Sequence, residues 1–170
     1  MRFTLASAAS ILAFTATTLA DDQKSYLQAG TNEEYLSASI AIDGFTHYAL
    51  LTDAKSATPA IITGQGGELQ VDLSSISGAG VTGLLTLEDK EGYSGLKHAI
   101  FGNPSVVTAS SGWDFPSTYG NLTSSLDAFH GWYACFAAVG VKQLYWSDWA
   151  NYNGSAPTNC EKVTLHRVFM

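Results

Sequence analysis

The stretch FHGWYACFAAVGVKQLYWSDWANYNGSAPTNCEKVTLHRV, residues 129–168, decides the fold. It holds both cysteines of the chain, Cys135 and Cys160, and three of the four tryptophans. Runs of apolar, aromatic and β-branched residues between turn signals are typical of strands. The stretch contains two such runs and the start of a third, which we predict as strands: Trp132 to Ala138, Val141 to Trp146 and Val163 to Phe169.

The two cysteines predict one disulfide bond. In an oxidising compartment a chain with only Cys135 and Cys160 has a single pairing available. The bridge would close a loop of about 26 residues, which the chain-entropy model values at roughly 3.5 kcal/mol. Cys135 lies in an apolar run, which is not the basic, partly exposed setting that a catalytic cysteine needs. We therefore expect a structural bridge that fixes the last strand against the strand of Cys135.

Residues 1–20, MRFTLASAASILAFTATTLA, have the pattern of a secretory signal peptide. Arg2 supplies the positive start, Leu5 to Phe14 the apolar centre, and Thr18-Leu19-Ala20 the small residues of a cleavage site. A membrane anchor would need about 20 apolar residues, and the threonines dilute this segment. We expect a secreted protein, extracellular or in a cell wall, whose mature chain begins at Asp21.

Charge and composition narrow the class of protein. Removal of Arg2 with the leader leaves 7 of the 8 Lys and Arg residues against 15 Asp and Glu, a net charge of −8. This balance argues against nucleic acid and anionic membranes, which attract clustered cations. No later stretch is long and apolar enough to span a bilayer, so we expect no membrane partner for the mature protein. The scarcity of charged residues, 14%, suits a single all-β extracellular domain over residues 21–170.

Further strands are predicted upstream at a spacing of roughly ten residues, which indicates a β-sandwich or a β-barrel. Tyr35 to Ile42 and His47 to Thr52 form a predicted hairpin around Asp43-Gly44. The other predicted strands are Pro59 to Thr63, Glu68 to Leu73, Val81 to Glu88, Lys97 to Phe101, Ser105 to Thr108 and an edge strand within Ser110 to Phe115. Leu27 to Asn32 is predicted as a turn and Asp89 to Gly95 as a charged loop, while Leu122 to Phe129 fits a short helix or a loop.

The sequence contains no catalytic or metal-binding motif. The four histidines are isolated from one another, and no His or Cys pair has the spacing of metal ligands. We therefore expect no metal, no cofactor and no enzymatic activity. A small secreted hydrolase stays an alternative, because distant residues such as Asp127, His130 and a serine can assemble in a fold.

Aromatic residues near the C-terminus are the candidates for ligand contact. Trp132 and Trp146 are expected in the core, since alternation in a strand sends neighbouring residues to opposite faces. Trp149 and Tyr152, in the loop SDWANYNGSAP, are candidate contact residues, together with Trp113. Exposed rings of this kind supply rigid contact area. These residues support an alternative function, in which the protein is a carbohydrate-binding module.

Two sequons predict N-glycosylation. They are Asn121-Leu122-Thr123 and Asn153-Gly154-Ser155, and both are expected in surface loops. A glycan on Asn153 would shield the rings of Trp149 and Tyr152. The binding and glycosylation hypotheses therefore compete at that loop.

Three motifs carry a resemblance to a known family: Gly131-Trp132-Tyr133-Ala134-Cys135, Gln143-Leu144-Tyr145-Trp146 and Pro157-Thr158-Asn159-Cys160. In these motifs the chain resembles fungal secreted proteins of the PhiA-like cell-wall type and the related elicitors of the plant hypersensitive response. The resemblance implies a non-enzymatic extracellular protein of a filamentous fungus. It implies a cell-wall polysaccharide or a host surface protein as partner, and no catalytic residues.

Overall fold

The computed structural model describes residues 25–30, 32–40, 42–63, 67–138, 140–148 and 156–170. Strands account for 55% of the structure and helix for 5%, so the all-β prediction is confirmed. The strands are β1 (Ser25–Ala29), β2 (Glu34–Ala38), β3 (Thr46–Thr52), β4 (Ala60–Thr63), β5 (Glu68–Asp72), β6 (Thr82–Tyr93), β7 (Leu96–Gly102), β8 (Trp113–Asp114), β9 (Thr123–Ser124), β10 (Trp132–Ala138), β11 (Val141–Trp146), β12 (Cys160–Val163) and β13 (Leu165–Phe169). A 3-10 turn, Ala54–Ser56, and a one-turn helix α1, Ser74–Ser77, interrupt them.

The antiparallel pairings of seven strands close into a ring. Of the two predicted architectures, sandwich and barrel, the structure is therefore a barrel. The order runs β3, β2, β1, β4, β5, β6, β7 and back to β3. β7 returns to β3 through His47 opposite Phe101 and its two flanking pairs. The pairing is shortest between β1 and β4, where Ser25 lies opposite Ala60. Closure removes exposed sheet edges from the ring.

The C-terminal stretch joins this ring at two places. β11 pairs first with β3, at Lys142 opposite Leu51, and then with β7, at Tyr145 opposite His98. Along the other edge of β11 lies β10, which in turn pairs with β12. β13 pairs with the whole of β1. Residues 129–168 therefore bind the first strand of the described chain as well as its middle.

The disulfide is present as predicted, and it links direct neighbours across β10 and β12. Cys135 pairs with Cys160 in the strand register and in the covalent bond. Cys135 is fully buried, as its apolar run indicated. The bridge therefore holds β12 to β10. It does not hold the last strand, β13, which is bound to β1 by backbone hydrogen bonds.

Two groups of buried side chains lie on opposite faces of β10 and β11. The main core fills the ring and includes Trp132 and Trp146, which confirms their predicted burial. A smaller core on the outer face contains Leu96, Tyr133, Cys135 and Tyr145, with Tyr93, Ala156 and Cys160 packed against it. Alternation along the two strands produces this division, since adjacent residues point to opposite sides.

Two predicted loops are partly wrong, because pairing with distant strands overrides their local composition. The first half of the predicted turn Leu27 to Asn32 belongs to β1, which is held between β13 and β2, whereas Gly30 and Asn32 are turn residues. β6 continues through most of the charged segment Asp89 to Gly95, since Tyr93 pairs with Leu96 of β7. The actual turn is only Ser94-Gly95, and both residues have positive φ angles, 51° and 83°.

Smaller differences between the predicted and observed strands have the same cause, pairing between distant parts of the chain. Ser105 to Thr108 is a turn and coil rather than a strand, and the edge strand in Ser110 to Phe115 shrinks to β8, which pairs with β9. Leu122 to Phe129 contains β9 and a turn, so its loop alternative is correct. The predicted signal peptide lies outside the described residues. Within the part of the chain that the structure describes, no helix has the length and apolar character needed to cross a membrane.

Candidate binding surface

Of the three aromatics predicted to contact a ligand, the structure describes only Trp113, which is buried. Its exposed fraction is 2%, its ring stacks on Trp132 at 5.4 Å, and its Nε1 donates to the Ser110 carbonyl at 2.8 Å. Trp113 as a ligand-contact residue is therefore wrong, because the ring fills the core beneath β8. Trp149 and Tyr152 lie outside the described residues, as does Asn153.

Lys97 fixes the chain just before the loop that holds Trp149. Its Nζ binds Asp148 Oδ2 at 2.6 Å and also contacts Asp89, and it lies 5.2 Å from the centre of the Trp146 ring. The hydrogen bond that Lys97 donates to Asp148, followed by the one that it donates to Asp89, raises the pKa of Lys97 above its ordinary value. Asp148, the last described residue before Trp149, is thus held by a charged contact over a core tryptophan.

A row of rings lies on the outer face of the barrel where β3, β7 and β11 meet. We call it the tyrosine–histidine row: Tyr48, Tyr93, His98 and Tyr145. The His98 ring is 4.9 Å from Tyr48 and 5.2 Å from Tyr145, and Tyr93 is 6.4 Å from Tyr145. Tyr145 is buried, whereas the other three members are half-buried. The row combines rings from four strands into one surface beside the disulfide.

Hydrogen bonding fixes the tautomer of His98. The amide Nε2 of Gln143 lies 2.9 Å from His98 Nδ1. An amide nitrogen can only donate, so Nδ1 accepts and the proton of the neutral ring is on Nε2. Gln143 is buried, which holds the imidazole in one orientation. The Nε2–H of His98 therefore lies within the row, beside the β6 backbone at Gly92.

Burial favours the neutral forms of two members of the row, His98 and Tyr145. Burial lowers the pKa of His98, with nearby Glu88 opposing this shift and Lys90 adding to it. Burial also raises the pKa of Tyr145, and the neighbouring Tyr48 and Tyr93 add to the increase. Partly exposed neutral rings can stack on an uncharged polar ligand.

Gly92 lets the β6 backbone pass directly over two rings of the row. A Cβ at Gly92 would lie 2.7 Å from Cε1 of Tyr145 and 2.9 Å from Nε2 of His98. Sequence reasoning missed this arrangement and treated His98 as an isolated histidine. No local pattern in the sequence indicates this contact. It depends on β7 pairing with β11, which brings together residues 98 and 145, 47 positions apart.

Comparison with known proteins places the whole barrel in one family. Residues 14–169 match the family described as Domain of unknown function (DUF7907). The chain belongs to this family. The match spans β1 to β13, so the DUF7907 domain includes the ring as well as the disulfide region. No curated protein and no solved structure matches the chain.

One serine–histidine pair occurs elsewhere in the DUF7907 barrel. Ser77 Oγ lies 3.2 Å from His47 Nε2, and His47 Nδ1 lies 2.6 Å from the Ser39 carbonyl oxygen. A carbonyl therefore occupies the place that a carboxylate takes in a Ser-His-Asp triad. The pair ties α1 to β3. Among the described residues, no group of three or more His, Cys, Asp or Glu side chains could hold a metal ion.

Asn121 is exposed on the DUF7907 surface. It forms an isolated bridge with His166 of β13, and Thr123 of the same sequon is exposed too. The sequon therefore presents its acceptor amide to solvent. It lies on different strands from the tyrosine–histidine row.

The lowered pKa of His98 predicts a pH dependence of stability. The unfolded chain binds a proton on His98 near the ordinary pKa of 6.5, while the folded protein does so only at lower pH. Stability therefore falls as pH drops below about 6.5, because the unfolded state then binds more protons. We expect H98Q to show a shallower fall between pH 7.5 and pH 5 in urea unfolding. The stability of H98Q at pH 8 measures the effect of losing the contacts of the His98 ring alone. If the stability of H98Q and of the wild type fell equally steeply with pH, the prediction would be contradicted.

Proposed function

We propose that this DUF7907 protein is a secreted, non-enzymatic interaction protein of a fungal cell wall or cell surface. Three observations support the proposal: the leader-like pattern of residues 1–20, the disulfide, and the motif resemblance to cell-wall and elicitor proteins. Disulfides of this kind form and persist in oxidising compartments. The exposed Asn121 sequon supports a glycoprotein, with the glycan away from the tyrosine–histidine row.

The tyrosine–histidine row carries the proposal that the protein acts by binding. Its rings are preorganised by Gln143 and by the close backbone at Gly92. Tyr48, Tyr93 and His98 are half-buried, so their rings stay partly accessible. Partly exposed rings held in place suit a neutral polysaccharide, because sugar rings stack on aromatic faces. An anionic polymer is less suited to a chain of net charge −8. We therefore propose a neutral cell-wall polysaccharide as the ligand class.

A host surface protein is the second partner that the elicitor resemblance suggests, and the same row would serve it. For the hydrolase alternative, the serine–histidine pair supplies no carboxylate from the described residues. The structure thus adds an observation in favour of binding and none in favour of hydrolysis.

Retention on polysaccharide tests the proposal. We expect the mature chain, from Asp21, to be retained on at least one of chitin, β-glucan and cellulose. Replacement Y48A should weaken retention about three- to tenfold, since it removes one stacking ring. Y119A is the matched control, because Tyr119 is 74% exposed and lies outside the row.

The control variant separates specific stacking from general stickiness. Equal losses in Y48A and Y119A would assign retention to nonspecific contact. No retention of the wild-type protein on any of the three polymers would refute the polysaccharide as ligand.

A further inference from the structure

Three loops converge at one end of the barrel. They are residues 39, 40 and 42–45 before β3, residues 77–81 from the last residue of α1 onward, and residues 103–107 after β7, and we call them together the neutral loop end. A small hollow is lined by Phe45, Ser77, Val81 and Asn103, which come from all three loops. The Asn103 N–H donates to the Phe45 carbonyl at 3.1 Å, which joins two of them directly.

Large apolar side chains project into solvent from this end. Ile40 is 85% exposed, Ile42 50%, Phe45 56% and Val106 58%. A scattered exposed apolar residue is ordinary, but a group on adjacent loops marks a contact surface. Exposure of this degree means that Ile40, Ile42 and Val106 protrude, while Phe45 protrudes at the edge of the hollow.

The same loops contain almost no charge. Asp43 is the sole Asp, Glu, Lys or Arg in residues 39–45, 77–81 and 103–107, in a chain that carries 15 acidic residues. Its Oδ1 accepts hydrogen bonds from Phe45 N at 2.9 Å, Thr46 N at 2.8 Å and Thr46 Oγ1 at 2.8 Å. The Phe45 bond, then those from Thr46, lower the pKa of Asp43. This carboxylate therefore serves the turn itself.

The apolar side chains sit on a preorganised turn. Ile42 N donates to the Thr46 carbonyl at 2.7 Å, and Ser39 N donates to the Tyr48 carbonyl at 2.9 Å. His47 is buried and bridges the Ser39 carbonyl to Ser77, which fixes the first loop against the second. Binding would therefore order little additional backbone. The free energy gained by burying the apolar side chains is then not offset by an entropic cost of ordering the loops.

We propose that the neutral loop end inserts its apolar side chains into the interface of an uncharged lipid surface. Protruding apolar side chains without polar partners suit acyl chains, whereas a sugar would require ring faces together with polar partners. The lack of cations excludes attraction to anionic headgroups, and the net charge opposes it. Phosphatidylcholine, which carries no net charge, has the required chemistry.

This inference departs from the expectation that the mature protein has no membrane partner. That expectation used net charge and the length of apolar segments. Neither quantity reports on loop tips, because Ile40, Ile42, Phe45 and Val106 are separated in sequence and never form a long apolar run. The surface also lies on other loops than the tyrosine–histidine row, so either proposal can fail alone.

Vesicle binding tests the inference. We expect the mature chain to cosediment with phosphatidylcholine vesicles, and to bind less when phosphatidylserine is added, because of its acidic charge. The double variant I40S/F45S should lower the partition coefficient at least tenfold, since two side chains lose apolar burial. I61S is the matched control, because Ile61 is 50% exposed on β4, outside the neutral loop end.

Three results would overturn the inference. The wild-type protein could fail to bind phosphatidylcholine vesicles, or I40S/F45S could bind as well as I61S. Analytical ultracentrifugation could show self-association that I40S/F45S abolishes, without vesicle binding, which would assign the surface to a second copy of the chain. Thermal unfolding of each variant, followed by circular dichroism, establishes that the compared proteins are folded.

Discussion

The double replacement C135A/C160A is expected to lower the free energy of unfolding by about 3.5 kcal/mol, the value of a closed loop of about 26 residues on the chain-entropy model. The two cysteines are 25 positions apart, and they face each other across β10 and β12. The bridge restricts the unfolded chain and also fills the smaller core between Leu96, Tyr133 and Tyr145. Loss of both sulfur atoms therefore removes an entropic restraint and buried apolar contacts.

Position in the sheet makes β12 depend on this bond. β12 pairs with β10 alone, through four residue pairs. The chain before it, residues 149–155, contains the predicted contact residues Trp149 and Tyr152. The bridge therefore holds the described chain that follows residue 155, while Lys97 holds Asp148, the last described residue before residue 149.

Guanidinium unfolding of the wild type and of C135A/C160A, each with and without reductant, measures the effect. Reductant should destabilise the wild type by an amount close to the effect of the double variant, and should leave the double variant unchanged. Equal stability of the oxidised and reduced wild-type protein would show that the bridge contributes nothing to the fold.

Local periodicity was sufficient to predict the strands that alternate strictly. β10 and β11 begin and end where the sequence pattern predicted, and the hairpin of β2 and β3 forms around Asp43-Gly44. The disulfide followed from a count of two cysteines. These features depend on neighbours in sequence or on a pairing with a single solution.

Closure of the ring could not be predicted in the same way. It depends on β7 pairing with β3 and on β1 pairing with β4. The C-terminal strands attach to the ring through pairs that are as distant in sequence, β7 with β11 and β1 with β13. Composition gave the opposite indication for β1 and for the end of β6, since polar residues such as Glu91 usually mark loops. The tyrosine–histidine row could not be predicted for the same reason, because its four members come from four different strands.

The location of Trp113 shows how a close backbone contact decides burial. Gly and Ser residues surround this tryptophan in sequence, which favours an exposed ring. In the structure Gly67 approaches so closely that a Cβ there would meet the Trp113 carbonyl oxygen, and the Trp113 N–H donates to the Gly67 carbonyl at 2.9 Å. Nothing in the sequence near residue 113 indicates a partner at residue 67.

We expect W113A to lower the free energy of unfolding by about 3–5 kcal/mol, as large aromatic truncations in a core do. The ring stacks on Trp132 and meets Phe129 edge-on at 5.3 Å, so its loss leaves a cavity between two aromatic residues. The variant also leaves the Ser110 carbonyl without its indole donor. Against a typical total stability of about 5–15 kcal/mol, this loss brings the barrel near its unfolding threshold.

W113F separates the two contributions to this effect. It keeps a ring against Trp132 and Phe129 but loses the hydrogen bond to Ser110, so we expect a smaller loss of about 1–2 kcal/mol. Urea unfolding of W113A, W113F and the wild type, followed by far-ultraviolet circular dichroism, gives both values. A W113A loss below about 1 kcal/mol would mean that the ring is not part of the core, since exposed positions tolerate truncation at that level. It would also restore Trp113 as a ligand-contact candidate, which makes this variant a test of the site as well as of the fold.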